Sequence, residues 1–237
     1  MCGICGIYAY GAVTDAESDR RDVQAMMDTL RHRGPDGEGL TQHGPATLGH
    51  RRLSIVDVAG GAQPLANEDD TVWVTYNGEI YNFSDLRSEL ERSGHRFRTR
   101  TDTEVLVHGY EVWGDDVVSR LNGIFAFGLW DDRNRRLLLG RDPFGVKPLY
   151  YHDDGSELVF ASELKALFLR RGIVPEVDEV GLTQCLEYGF VPSPLTLFKG
   201  VRKLGPGERL LIDREGVVAE DYTEPVRVAD PGNREAL

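Results

Sequence analysis

The sequence predicts an α+β fold in which mainly antiparallel sheets are covered by helices. Three observations carry that prediction. Strand-like segments come in pairs with hairpin spacing. Segments of helical periodicity lie between those pairs. No regular strand–helix–strand alternation runs along the chain, which argues against a doubly wound parallel sheet.

Residues 3–10, GICGIYAY, read as a short strand almost at the chain start. Val23, Met26, Met27 and Leu30 fall at i, i+3, i+4 and i+7, the stripe of an amphipathic helix. Gly34-Pro35-Asp36-Gly37 stops that helix. Residues 45–58 read as two strands or one bent one. Residues 71–81 read as two strands around Asn77-Gly78, a dipeptide suited to the positive φ angles of a type I′ hairpin. Ser84 is the expected cap of a helix through about Arg92, with Leu86 and Leu90 on one face. Asp102 is the expected cap of the next, which carries Val105, Leu106 and Tyr110. Residues 124–130 and 136–140 read as adjacent strands. Short strands are expected near 149–151 and 158–161, helices at 162–170 and 178–187, and a last strand pair at 208–212 and 217–219. After Tyr222 the segment TEPVRVADPGN reads as a linker, and NREAL begins to look helical.

A chain of 237 residues can bury a real core without metal or disulfide staples. A net charge of −12 argues against a nucleic-acid or anionic-membrane surface, since either would need a basic face. No apolar run approaches the roughly 20 residues that span a bilayer, and MCGICGIYAY lacks the basic start of a signal peptide. Three cysteines, an odd number, argue against a disulfide framework. A soluble, cytoplasmic protein is expected. The six histidines, at 32, 43, 50, 95, 108 and 152, show no metal spacing such as H-x-x-x-H and read as surface or packing residues, so no metal site is expected.

Cys2 is chemically unusual, because removal of Met1 would leave a thiol and a free α-amine on one residue. Such an amine titrates near pH 8, and a thiol reacts only as thiolate. The amine can therefore serve as the base for its own side chain. The plain alternative is a small residue at a strand start. Cys2-Gly3-Ile4-Cys5 is also a C-x-x-C, but it opens a strand where a redox motif should open a helix, and a zinc or iron–sulfur site would want four ligands.

Cys2 does not stand alone. MCGICGI, RHRGPDG (31–37), RRLSIVD (51–57), NGEIYN (77–82), TDTEV (101–105), GRDPFGVKPLYY (140–151) and ASELKAL (161–167) occur in that order. Together they resemble class II glutamine amidotransferases of the N-terminal nucleophile type. The likeness covers about residues 2–222 and is greatest to the N-terminal half of glutamine-hydrolysing asparagine synthetases, a branch also suggested by YGFVPSP (188–194). The resemblance implies a four-layer αββα sandwich with two mainly antiparallel sheets. It implies a glutaminase domain over 2–216, then a linker and the truncated start of a synthetase domain over 217–237.

By the same resemblance Cys2 is the nucleophile, and Asn77 and Gly78 form the oxyanion hole. Arg52 clamps the substrate α-carboxylate, a planar donor for a planar anion. Asp102 holds the α-ammonium, with Glu79 as a second contact near it. Leu53, Ile55 and Val56 line the glutamine pocket. Each has a bland alternative: a hairpin turn for Asn77-Gly78, a surface arginine for Arg52, a helix cap for Asp102, a solvated hairpin residue for Glu79, an alternating strand for the last three. Glutamine is the implied substrate. No cofactor is implied for its hydrolysis; ATP and Mg would belong to a synthetase domain. The Ser-Gly-Gly-x-Asp-Ser phosphate loop of that domain does not occur in this sequence, nor does a Walker A motif. The ammonia acceptor is then a synthetase domain or subunit. A stand-alone amidotransferase for another acceptor and a non-catalytic glutamine-binding module remain as alternatives, and homodimerisation stays open.

Overall fold

Period-2 alternation in strands that are covered on both faces sets the layering of this molecule, seen in a computed structural model that describes residues 1–11, 15–54, 57 and 60–223. The chain begins with β1 (Gly3–Ala9), α1 (Ala16–Thr29), β2 (Gly37–His43), β3 (Ala46–Arg52) and β4 (Leu65–Ala66). Next come β5 (Val72–Ile80), α2 (Phe83–Arg92), α3 (Glu104–Trp113) and a 3₁₀ segment, Gly114–Arg120. Then follow β6 (Gly123–Asp131), β7 (Arg136–Arg141), β8 (Tyr150–Asp153), β9 (Glu157–Ala161), α4 (Leu164–Leu167) and α5 (Glu179–Tyr188). The last strands are β10 (Val201–Lys203), β11 (Glu208–Asp213) and β12 (Gly216–Asp221).

The strands form two six-stranded sheets, ordered β10-β8-β9-β1-β3-β2 and β12-β11-β7-β6-β5-β4, with antiparallel neighbours throughout. Along β1, Ile4 and Tyr8 point to the second sheet, where they meet Trp130 and Leu139, with Phe160 of neighbouring β9 in the same cluster. Cys5 and Ile7 point the other way, onto the Val23-Met26-Met27-Leu30 stripe of α1. In the second sheet, Val74, Phe125 and Phe127 pack on Leu86, Leu90, Val105 and Leu106 of α2 and α3. The result is the four-layer αββα sandwich. Strands usually alternate apolar and polar when one face is wet. Here both faces are covered, so β1 is apolar and buried along its whole length.

Several local expectations change. Asn77-Gly78 is not a turn, because β5 runs unbroken past it and pairs with β6 from Val72↔Asp131 to Ile80↔Gly123. The helix expected from Ser84 has Asn82 at its cap position. Asp102 caps nothing; Thr103 stands at the start of α3, without a side-chain cap bond. The helix expected over 162–170 is the single turn of α4. The edge strand β2 was not expected at all. A domain boundary after residue 216 would fall inside the β11–β12 hairpin, and Tyr222 still donates its hydroxyl to the Arg141 carbonyl at 2.6 Å. Among the described residues, no helix is long and apolar enough to cross a membrane.

Candidate active site

The β1–β3 register brings the chain start to the end of β3. Gly3 pairs with Arg51, so Cys2 extends beside Arg52 and Leu53. The Leu53 amide donates to the Cys2 sulfur at 3.4 Å, and the sulfur lies 3.8 Å from the Leu53 carbonyl. The Cys2 carbonyl accepts from Arg33 Nε at 2.9 Å. Glu163 in turn holds Arg33 at 2.9 Å and His32 at 2.9 Å. Burial pushes the Glu163 carboxyl up, but hydrogen bonds from Arg33, His32 and Lys165 outweigh it and keep the carboxyl low. Gly34 fits because a Cβ there would sit 2.3 Å from the Arg51 carbonyl carbon. RHRGPDG and ASELKAL therefore share one task, fixing residue 2.

The two cysteines of C-x-x-C have opposite surroundings. Cys5 is fully buried beneath α1, and burial pushes its thiol far above the ordinary range. Cys2 is half-buried and lines a cavity of about 170 Å³ between the two sheets. Met1 also lines it, with its sulfur 3.9 Å from an Arg33 guanidinium nitrogen.

β5 forms the opposite wall. Its even-numbered residues Val74, Tyr76 and Ile80 face the helices. Thr75 therefore faces the other sheet, where its hydroxyl donates to the Gly49 carbonyl at 3.0 Å. Asn77 shares that face, is 2 % exposed, and lines the cavity with Cys2. Its amide nitrogen is buried and has no hydrogen-bond partner among the described residues. Backbone direction completes the picture. Phe125, opposite Gly78, spends its N–H on Asp142 Oδ2 and its C=O on the Asp142 amide, so both point away from β5. In an antiparallel ladder Gly78 then turns its own N–H outward, to the open edge of β5. Two neighbours on that edge are held by side chains: Tyr76 N–H donates to Gln63 at 2.8 Å and Ile80 N–H to Asp102 at 2.9 Å. Gly78 lies between them on the cavity wall. A Cβ there would sit 2.4 Å from the Ile124 carbonyl, so glycine is required by close approach rather than by a turn.

Asp102 also lines the cavity, and Oδ2 accepts from the Tyr76 hydroxyl at 2.7 Å. Burial pushes its carboxyl up; Tyr76 and the Ile80 amide pull it down without cancelling that rise, and Glu79 adds to it. Glu79 is exposed at the rim. Arg52 lines the wall beside Cys2, with one guanidinium nitrogen 2.7 Å from the Asp57 carbonyl. Asp57 accepts from the Gly60 amide at 3.0 Å and the Arg100 amide at 3.0 Å, which ties the Arg52 side to the Asp102 side. Of the expected site residues, Cys2, Arg52, Leu53, Asn77, Gly78, Glu79 and Asp102 thus share one cavity. Ile55 and Val56 lie outside the described residues.

The wall also holds residues that sequence reasoning passed over, namely Gln63, Tyr76, Thr101, Thr103 and Lys147. Lys147 belongs to GRDPFGVKPLYY. Within that segment Asp142 is fully buried and accepts from the amides of Phe125, Phe144, Val146 and Lys147 at 3.0–3.2 Å. Arg141 donates to the Lys147 carbonyl at 2.7 Å and the Gly145 carbonyl at 2.6 Å. The motif is a rigid loop that carries Lys147 to the cavity. Together the walls offer a thiol, a buried amide donor without a partner, a guanidinium, and two carboxylates. That set matches a zwitterionic amino acid with a side-chain carbonyl.

Comparison with known proteins gives one neighbourhood. A family profile described as "Glutamine amidotransferase domain" matches residues 1–223. The chain is 40% identical over 216 residues to glutamine-hydrolysing asparagine synthetase 1 of Bacillus subtilis (strain 168), covering 91% of this chain and 34% of that one. It is 47% identical over 169 residues to the glutamine-hydrolysing asparagine synthetase of Sandersonia aurantiaca, covering 70% and 31%. Its fold is similar to glutamine phosphoribosylpyrophosphate amidotransferase from B. subtilis, with a TM-score of 0.68 at 23% identity over 94% of this chain and 50% of that one. The chain spans about a third of the length of the curated relatives it matches.

Proposed function

The chain belongs to the class II glutamine amidotransferase domain family, and from that premise we propose that it hydrolyses glutamine through Cys2 and supplies ammonia for asparagine synthesis. One observation carries the chemical part: the buried Asn77 amide, without a partner among the described residues, shares a cavity with the Cys2 sulfur. A buried unpaired donor costs about 1–3 kcal/mol. It is retained where an acceptor forms during reaction.

The steps follow from the groups present. With Met1 removed, the Cys2 amine takes the thiol proton. The thiolate attacks the glutamine side-chain carbonyl, and negative charge collects on its oxygen. Asn77 Nδ2–H and Gly78 N–H receive that oxygen. The C–N bond breaks, and ammonia leaves with the proton from the Cys2 ammonium. Water then cleaves the γ-glutamyl thioester and releases glutamate. Arg52 holds the substrate carboxylate, Asp102 its ammonium with Glu79 nearby, and Leu53, Ile55 and Val56 line the pocket. None of these steps calls for a cofactor; ATP and magnesium belong to the acceptor's chemistry.

The acceptor is proposed to be a synthetase domain or subunit, since both relatives are asparagine synthetases of about three times this length. α5 offers a surface for it. The helix buries only Gly181, and Val180, Leu182, Leu186 and Tyr188 are exposed, followed by exposed Phe190. Exposed apolar faces of that extent suit a protein partner. The compartment proposed is the cytoplasm, where free thiols such as Cys2, Cys5 and Cys185 stay reduced.

A glutaminase assay tests the reading. The chain is expected to release glutamate and ammonia, and Cys2→Ala to release none with an unchanged melting temperature. Equal glutamate from both proteins would refute it. Glutamine binding without hydrolysis in the parent chain would leave a binding module.

A further inference from the structure

A second chemically distinctive cluster lies at α3, apart from the cavity lining. Glu68 follows β4, His95 follows α2, and His108 and Glu111 stand three residues apart on α3. They offer two imidazole nitrogens and two carboxylate oxygens, all within 4.8 Å of one another. This is the one such group among the described residues. We infer that these four side chains form a binding site for a four-coordinate first-row divalent cation, with Zn²⁺ the best fit.

Geometry is the first argument. Four ligands about 2.0–2.1 Å from a tetrahedral ion stand roughly 3.3–3.4 Å from each other. His95 Nδ1 lies 3.4 Å from Glu68 and 3.7 Å from Glu111. His108 Nδ1 lies 3.1 Å from the other Glu68 oxygen and 3.6 Å from Glu111. These histidine–carboxylate spacings lie near the tetrahedral edge, and one ligand atom from each residue keeps all four within 4.8 Å.

The second argument is independent. His108 is fully buried, and its Nδ1, aimed into the cluster, has no hydrogen-bond partner among the described residues. Its other nitrogen, Nε2, lies 3.4 Å from Glu104 Oε1. Glu104 is fixed by the Arg98 and Thr99 amides, each at 2.7 Å, and by the Thr99 hydroxyl at 2.6 Å. In the tautomer that carries its proton on Nε2, toward Glu104, Nδ1 presents a lone pair to the cluster that a cation can accept. Carboxylate–histidine–metal relays have this form, with the carboxylate setting tautomer and ring angle. Phe97 stands edge-on to the imidazole, ring centroids 4.7 Å apart, and helps fix its plane.

Chemistry selects the ion. Two imidazoles with two carboxylates suit Zn²⁺ and its neighbours, whereas Mg²⁺ and Ca²⁺ prefer all-oxygen shells. Two carboxylates also neutralise one divalent ion. Such an ion would pin α3 to the segments holding Glu68 and His95, next to Asp102 and Thr103 on the cavity wall. The ligands come from three separated segments, so no linear spacing reveals them.

The test uses the full chain carrying Cys2→Ala, so that the cavity thiol cannot compete for metal. After chelator treatment, Zn²⁺ is titrated by calorimetry, melting is followed with and without Zn²⁺, and Co²⁺ replaces Zn²⁺ for visible spectra. One equivalent of Zn²⁺, a higher melting temperature and a four-coordinate Co²⁺ spectrum are expected. Adding Glu111→Gln or His95→Asn, both at positions that are not fully buried, should weaken Zn²⁺ binding by at least about tenfold. Absence of Zn²⁺ uptake, or affinity unchanged in both variants, would overturn the site. Glutamine hydrolysis is not read, so the outcome is separate from the amidotransferase proposal.

Discussion

The two sheets face each other in two different ways. Through the middle, Ile4, Tyr8, Trp130, Leu139 and Phe160 close the gap with apolar side chains. At the end where β1 begins, the same gap opens into a cavity walled by Cys2, Asn77, Arg52 and Asp102. The one imidazole in the middle, His50, bonds Thr75 across the gap through Nδ1 at 3.1 Å, its buried Nε2 has no partner among the described residues, and burial, with Arg52 nearby, holds it neutral at a pKa of about 3. The open end holds a buried amide without a partner among the described residues and a carboxyl pushed up by burial. The contrast teaches that stability and chemistry occupy neighbouring stretches of one interface, so substitutions should separate them.

The largest stability effect is expected at Phe160, whose ring fills the space over Gly6 and Gly128. Phe160→Ala should cost about 3–5 kcal/mol in denaturant unfolding, with glutamine turnover per folded molecule unchanged. A comparable loss of turnover would show the two regions to be coupled. Asn77→Ala should do the reverse. It should lower kcat by about 10²–10³ and leave unfolding free energy equal or higher, because an unpaired buried donor is removed. Steady-state kinetics beside melts decide it.

Asp102→Asn should raise KM for glutamine about ten- to hundredfold through loss of the ammonium partner, with a smaller effect on kcat. In the parent, kcat/KM should fall as pH drops through the raised Asp102 value, since the carboxylate must be ionised to hold the ammonium. The stability sign is opposite. A carboxyl raised in the fold costs stability above its folded pKa, so the unliganded Asn variant should be no less stable at neutral pH. The effect confined to acid solution belongs to His50. Its folded pKa of about 3 lies below the ordinary imidazole value of 6.5, so the unfolded chain takes up the proton first. Stability should be full above pH 6.5 and fall toward pH 3, by up to about 1.4 kcal/mol per pH unit. His50→Gln should flatten that limb in pH-dependent melts.

Most of the fold was legible where periodicity and covered strands agree, as in β1, α1 and the β6–β7 pair. β2 was not, because GEGLTQH is a half-exposed edge strand that carries no alternation. Asn77-Gly78 misled for a physical reason: a local turn preference lost to the close approach of β6. Asp102 likewise looked like a cap, yet its carboxylate serves Tyr76 and Ile80. Cys2 was legible from its position. Tyr76 was not, since its ring packs in the core and only its hydroxyl reaches the site. Gln63 sits in a loop without pattern and acts through the β5 edge, which only the fold brings near.

The central claim is a sulfur acylated by glutamine beside its own free amine. Acid quenching during turnover, followed by intact mass and peptide mapping, reads both at once. The account predicts a chain lacking Met1 with a γ-glutamyl group on Cys2, and none on Cys5 or Cys185. Turnover by a chain that keeps Met1, or an adduct on another residue, would contradict it.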